Sequence, residues 1–154
     1  MKKKYIIIPL FTVLVAATGS VLTARGMQWY RTIALPSWTP RGSVIGTVWT
    51  FIFILGTVAA LIVWRKSRLN PRLVTIAAAF LVNGILNVMW SYLFFTRHMM
   101  GIAALEAVLL GLSVACLMAL IRPVSLIASV LLLPYACWVA FASYLTYAVW
   151  VLNK

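Results

Sequence analysis

The chain has few reactive side chains, and that shortage narrows its chemistry. Its 154 residues include one acid, Glu106, one histidine, His98, and two cysteines, Cys116 and Cys137. No nucleophile stands beside a general base, and no His, Cys or acid group has metal-ligand spacing, so no metal site is expected. Indoles are plentiful, with seven tryptophans. Tryptophan is easily oxidised, which makes electron or radical relay through Trp49 and Trp138 the one redox chemistry left open. Asn83 and Asn87 are four apart and share a helix face with Trp90 and Phe94. Buried amides of this kind act as glue between helices or as contacts to a ligand. Glu106 lies within an apolar run, where an ionisable group is a functional candidate by default. It can equally be protonated, or paired with the asparagine face or Arg97. His98 reads as a loop residue, and the cysteines as small core residues.

The elements that position these groups follow from composition. The chain is 65% hydrophobic and 9% charged. A soluble domain carries about 25% charge, so this one has no means of covering its surface and reads as an all-α integral membrane protein. A net charge of +12 invites a nucleic-acid partner. The basic residues sit in short clusters between apolar runs, however, where they act as topology signals and contacts to anionic lipid. No nucleic-acid partner is expected.

Five transmembrane helices are predicted in one domain spanning residues 1–154, over about 5–23, 43–64, 73–95, 101–121 and 124–150. Met1-Lys-Lys-Lys4 and the apolar run after it have the makings of a signal peptide. That run exceeds the usual apolar core, and the reading adopted is a retained helix. Lys2, Lys3, Lys4, Arg65, Lys66, Arg68, Arg72 and Arg122 fall on the N-terminal side; Arg25, Arg31, Arg41, Arg97 and Lys154 fall on the other. The eight-to-five bias predicts a cytoplasmic N-terminus, with the first long connector and the C-terminus outside. Ala103, Ala107, Gly111, Ala115 and Ala119 form a small-residue stripe, suited to a dimer face or to packing within the chain. Pro134 is expected to kink the last helix beside Trp138.

Counting about 1.5 Å per residue places Trp49 and Glu106 about 8–9 Å below the outer edge of a ~30 Å core. On the same scale Asn87 and Trp138 lie about 21–22 Å above the inner edge. All four therefore share one level. Above them runs Leu35-Pro-Ser-Trp-Thr-Pro-Arg-Gly42, with Trp29-Tyr30 just upstream. Pro36 and Pro40 bracket Trp38, which makes this connector stiff and aromatic, as a lid over a membrane-embedded pocket would be. Trp49 and Trp138 are too deep for the interfacial belt and read as pocket wall or core packing, whereas Trp64 and Trp150 suit the belt.

The motifs Trp29-Tyr30, Pro36-Ser-Trp-Thr-Pro40, Trp49, Asn87-x-x-Trp90-Ser91-x-x-Phe94-Phe95 and Pro134-Tyr135-x-x-Trp138-x-x-Phe141-Ala142-x-x-Leu145 span almost the whole chain. Together they resemble the TspO family, the tryptophan-rich sensory proteins of bacteria and translocator proteins of mitochondria. The resemblance implies a five-helix bundle, often a homodimer, whose first long loop closes over a pocket. Family members bind porphyrins, many bind sterols and benzodiazepine-type drugs, and some bacterial members promote light- and oxygen-dependent breakdown of protoporphyrin. It therefore implies a bacterial cytoplasmic-membrane protein with a porphyrin ligand and no required cofactor. The ligand-binding set expected is Trp29, Tyr30, Pro36, Trp38, Pro40, Trp49, Asn83, Asn87, Trp90, Glu106, Trp138, Ala142 and Leu145.

Three positions depart from the family pattern. Arg41 replaces a second proline of the lid, where its charge can attract porphyrin propionates. Thr146 stands where an asparagine is usual. Tyr147 is followed by six residues before Lys154, too many for the C-terminal sterol pattern, which argues against a sterol partner. The leading reading is a sensor, scavenger or regulator that binds porphyrin in the bilayer. A light-driven porphyrin degrader and a small transporter using Glu106 are the alternatives. One acid, no inverted repeat and no pair of broken helices weigh against transport.

Overall fold

In the computed structural model, which describes residues 4–66 and 72–154, every regular element is helical. The order is α1 (Lys4–Tyr30), α2 (Gly42–Lys66), α3 (Arg72–Ser91) running into a π-helical turn (Tyr92–Thr96), α4 (Met100–Ile121), α5 (Leu126–Val130) and α6 (Leu133–Leu152). Five segments are long and apolar enough to cross a membrane, α3 with its π turn and α5 with α6 each counting as one. The fold is thus an all-α, five-span membrane bundle. Lys2, Lys3 and Arg68, with the rest of residues 67–71 between the second and third predicted helices, lie outside the described residues.

Side chains such as Leu105, Leu109, Leu112, Val74 and Ile127 point outward and are exposed. In water this would be a fault; toward lipid it costs nothing. The interior is built mainly by α4, which packs along α6 on one side and α3 on the other. Ala103 and Ala107 are buried, and a Cβ on Gly111 would sit 3.5 Å from Val139. That part of the small-residue stripe serves packing within the chain, while Ala115 and Ala119 are exposed. Cys116 and Cys137 are exposed as well, not in the core.

Two boundaries differ from those expected. Helix α1 does not stop near residue 23 but continues through the polar Thr23–Gln28 stretch to Tyr30. The reason is tertiary: its last turns dock on the π turn, where Trp29 meets Phe94 edge-on at 5.6 Å and Tyr30 meets Phe95 at 5.6 Å. Packing of this kind sustains helix where hydropathy alone would end it. The last span breaks at Leu131–Leu132, and Pro134 sits in the first turn of α6, where its missing N–H costs nothing. The expected interruption is there, but it falls in the turn before the proline and not beside Trp138.

Two glycines let α1 approach α3. A Cβ on Gly26 would overlap the backbone carbonyl and Cβ of Phe95, and one on Gly84 would lie 2.6 Å from the ring tip of Phe11. A ring can swing aside, but backbone in a π turn cannot. Gly26→Ala is therefore expected to destabilise the bundle by about 1–3 kcal/mol, the usual cost of overpacking, and Gly84→Ala by less. Unfolding of both variants in bicelles, compared with wild type, measures the difference.

Candidate functional site

A hydrogen-bond relay crosses the middle of the bundle. The Asn87 amide donates to the Tyr135 hydroxyl at 3.2 Å, which donates to Asn83 Oδ1 at 3.1 Å. Asn83 Nδ2 donates to Ser113 Oγ at 2.8 Å, and Ser113 donates to the Leu110 carbonyl at 2.7 Å. The relay joins α3, α6 and α4, and both asparagines and Tyr135 are buried. Neither Tyr135 nor Ser113 was singled out from sequence, although Tyr135 belongs to a quoted motif. Its hydroxyl, deep in an apolar helix, was the available signal, because such a group needs a partner.

Trp49 and Trp138 both pack against the cluster around Tyr135, Val139 and Leu110. Trp49 meets the Tyr135 ring edge-on at 6.0 Å, and Trp138 lies 5.3 Å from Phe141. Toward the lid end, Trp29, Tyr30, Trp90 and Leu145 pack against Phe94, Phe95, Ala103 and Val149. The π turn arranges this second cluster: it widens the helix so that Phe94 stacks on Trp90 at 5.4 Å while Phe95 meets Trp90 edge-on at 5.9 Å. His98 follows with φ 55°, a left-handed conformation, and stacks on Trp29 at 4.0 Å. Ala142 accepts the Thr146 hydroxyl at 2.7 Å, so the threonine satisfies its own helix where an asparagine was expected.

Glu106 is buried, and neither carboxyl oxygen has a hydrogen-bond partner among the described residues. Pairing with the asparagines or Arg97 is therefore not what holds it. The indole N–H groups of Trp90 and Trp138 are likewise buried and unpartnered. These groups all lie on the connector side of the relay. Ser113 to Glu106 and Asn83 to Trp90 are equal steps of about two turns in antiparallel helices, starting from the Asn83–Ser113 bond. Trp138 lies one turn beyond Tyr135 in the same direction. Two donors and one acceptor thus stand without partners just above the relay, and buried polar groups are normally satisfied.

The connector closes this end. Trp38 stacks on Tyr144 at 5.5 Å and meets Phe141 edge-on at 5.9 Å. Pro36 accepts hydrogen bonds from both the N–H and the hydroxyl of Thr39, which fixes a tight turn between Pro36 and Pro40. Asn153, unremarked in the sequence, holds Ala34 by both backbone groups: its Oδ1 accepts from the Ala34 N–H and its Nδ2 donates to the Ala34 carbonyl, each at 2.9 Å.

An open cavity of about 260 Å³ lies on the other side of the relay, toward the N-terminal end, between α1, α2 and α3. Of the expected ligand-binding residues only Asn83 and Asn87 line it. The remainder stand in the closed aromatic region or in the connector. Trp64 lines the cavity and is more than an interfacial anchor.

Comparison with known proteins accords with this architecture. The model of the TspO/MBR family matches residues 7–151. A Bacillus cereus protein named tryptophan-rich protein TspO is 31% identical over 113 residues, covering 73% of this chain and 72% of that one. Its namesake in Chlorobaculum tepidum is 34% identical over 116 residues, 72% of this chain and 71% of the relative. Protein CrtK of Rhodobacter capsulatus is 31% identical over 98 residues, 64% and 60% of the two chains.

If Asn153 pins the connector, Asn153→Ala should release it. Two lost hydrogen bonds at about 1 kcal/mol each predict amide exchange at Ala34 faster by roughly tenfold or more. Hydrogen-exchange mass spectrometry over residues 31–41 reads this directly, and α4 amides should be unaffected.

Proposed function

This chain belongs to the TspO/MBR family of membrane proteins, and on that premise we propose that it binds a porphyrin at the lid end of the bundle. One observation carries the reading. The indole N–H groups of Trp90 and Trp138 and the carboxyl of Glu106 are buried without partners on the connector side of the relay. A flat apolar ring with polar edges suits aromatic walls and a few unspent hydrogen-bonding groups. Entry requires Trp38 to leave Tyr144 and Phe141, so the connector acts as the gate. Arg41, exposed at the end of that connector, attracts the acidic edge of the ligand. The protein then serves as a sensor or scavenger of porphyrin in a bacterial cytoplasmic membrane, with its N-terminus in the cytoplasm. A cysteine placed at Ser37 should accordingly be labelled by an impermeant reagent in intact cells.

The binding test is titration of the purified protein with protoporphyrin in the dark, read by quenching of tryptophan emission. Ala142→Phe adds bulk beside the Trp138 wall and should weaken binding about tenfold, the effect of about 1.4 kcal/mol. Equal affinity in a folded Ala142→Phe protein would place the ligand elsewhere.

A second reading rests on a separate observation: Trp49 and Trp138 pack on the same Tyr135-centred cluster. Photoexcited porphyrin and oxygen generate oxidants at close range, and two indoles on one cluster can relay the oxidation. Trp49→Phe and Trp138→Phe keep an aromatic wall without the oxidisable indole. Under illumination each should retain porphyrin but slow its loss from the absorption spectrum. Unchanged loss at equal occupancy and oxygen would leave the tryptophans as lining only.

A further inference from the structure

The cavity on the N-terminal side of the relay is not absorbed by the porphyrin reading. It runs along α2 from Ile52 to Trp64 and along α3 from Leu73 to Asn87, and α1 closes it from Ile7 to Val15. At about 1.5 Å per residue the α2 wall is about 18 Å long, close to the ~15 Å depth of one leaflet's hydrocarbon. Its volume of about 260 Å³ falls below the roughly 300–1,000 Å³ of pockets that enclose drug-sized ligands. It exceeds the ~150 Å³ of an apolar cavity that stays dry and takes up benzene. The shape is that of a slot for something long and thin.

The wall is also almost wholly apolar. Thr57 donates to Thr12 at 2.9 Å and Thr12 to the Ile8 carbonyl at 3.2 Å, while Asn83, Asn87 and Tyr135 are engaged in the relay. The remaining lining is apolar or aromatic. Ile7 and Leu81, both lining residues, are also exposed, so the slot opens to the surroundings of the bundle, which at that depth are lipid. At its N-terminal end, Trp64 is followed by Arg65 and Lys66, and Leu73 is preceded by Arg72. The side chains of all three cations are exposed. An apolar slot one leaflet deep with a basic rim at the headgroup level is complementary to an anionic phospholipid.

We propose that this slot holds one acyl chain of an anionic phospholipid from the leaflet on the N-terminal side, with its headgroup phosphate against Arg65 and Arg72. The site is separate from the porphyrin region and does not depend on it. The chain lies between α1 and α2, which otherwise meet over little surface, and so completes the packing of the least buried helix, α1.

The test is native mass spectrometry of the protein taken from nanodiscs of equal phosphatidylglycerol and phosphatidylcholine, counting lipid retained per chain. Wild type should retain one phosphatidylglycerol in preference to phosphatidylcholine. Gly56 lines the slot, and a Cβ there meets nothing within 4 Å, so a side chain can start into the slot and Gly56→Phe should abolish retention. Ala60→Leu, on the same wall, should do likewise, and it is the deciding variant if Gly56→Phe does not fold. Ile54→Phe, on the exposed side of α2, should retain lipid as wild type does. Arg65→Gln and Arg72→Gln should each cut the preference for phosphatidylglycerol about fivefold, the effect of about 1 kcal/mol per basic residue near the headgroups. Wild-type retention in folded slot-filling variants would put the lipid on the outer surface and overturn the proposal. Equal retention of the two lipids by wild type would overturn it too, as it would show that the rim does not read the headgroup. Dark titration of the slot-filling variants with protoporphyrin separates the two sites, since porphyrin affinity should be unchanged.

Discussion

The structure depends on the hydrogen bonds that Tyr135 makes with Asn83 and Asn87. In lipid, apolar contact between helices has no solvent penalty behind it, so close packing and interhelical hydrogen bonds must hold a bundle together. Here one hydroxyl joins α6 to α3, and Asn83 passes the link on to Ser113 in α4. Tyr135, Asn83 and Ser113 each both give and accept, so the chain of bonds polarises in one direction and each bond strengthens the next. Because only one helix face at one depth satisfies it, the relay fixes rotation and register along α3, α4 and α6 at once.

That constraint divides the bundle. On the connector side, Trp90, Trp138 and Glu106 stand beyond the relay, among the aromatic rings of the π turn, α1 and α6. On the N-terminal side, the Thr12–Thr57 bond ties α1 to α2, and a slot remains between them and α3. The two halves differ in chemistry as well as in space. One holds unpartnered polar groups among oxidisable rings, and the other is almost wholly apolar.

The five-helix membrane bundle was legible in the sequence because apolar runs of spanning length admit little else. So was the family, carried by aromatic and proline motifs that packing requires. The end of α1 was not legible, since Thr23–Gln28 is polar and only its docking on Phe94 and Phe95 keeps it helical. Pro134 signalled the interruption of the last span, but not that it would be a full break at residues 131–132, ahead of Trp138. Cys116 and Cys137 misled for a reason peculiar to membranes: an apolar run shows that a residue avoids water, not whether it faces lipid or protein. For the site, depth arithmetic placed Trp49, Asn87, Glu106 and Trp138 at one level but could not tell open space from packed rings. Asn153 was invisible because its partner, Ala34, contributes only backbone, and backbone leaves no mark on composition.

The relay's role as the lock of the bundle is tested most directly by a double-mutant cycle between Tyr135→Phe and Asn83→Leu, with unfolding followed in bicelles. Each substitution alone strands the other partner in the bundle interior, whereas the pair removes both. The double variant should therefore be less destabilised than the sum of the singles, with a coupling of about 0.6–1.7 kcal/mol, the range found for interhelical hydrogen bonds in membranes. Strict additivity would contradict the account, because it would mean that α3 and α6 are held in register by packing alone.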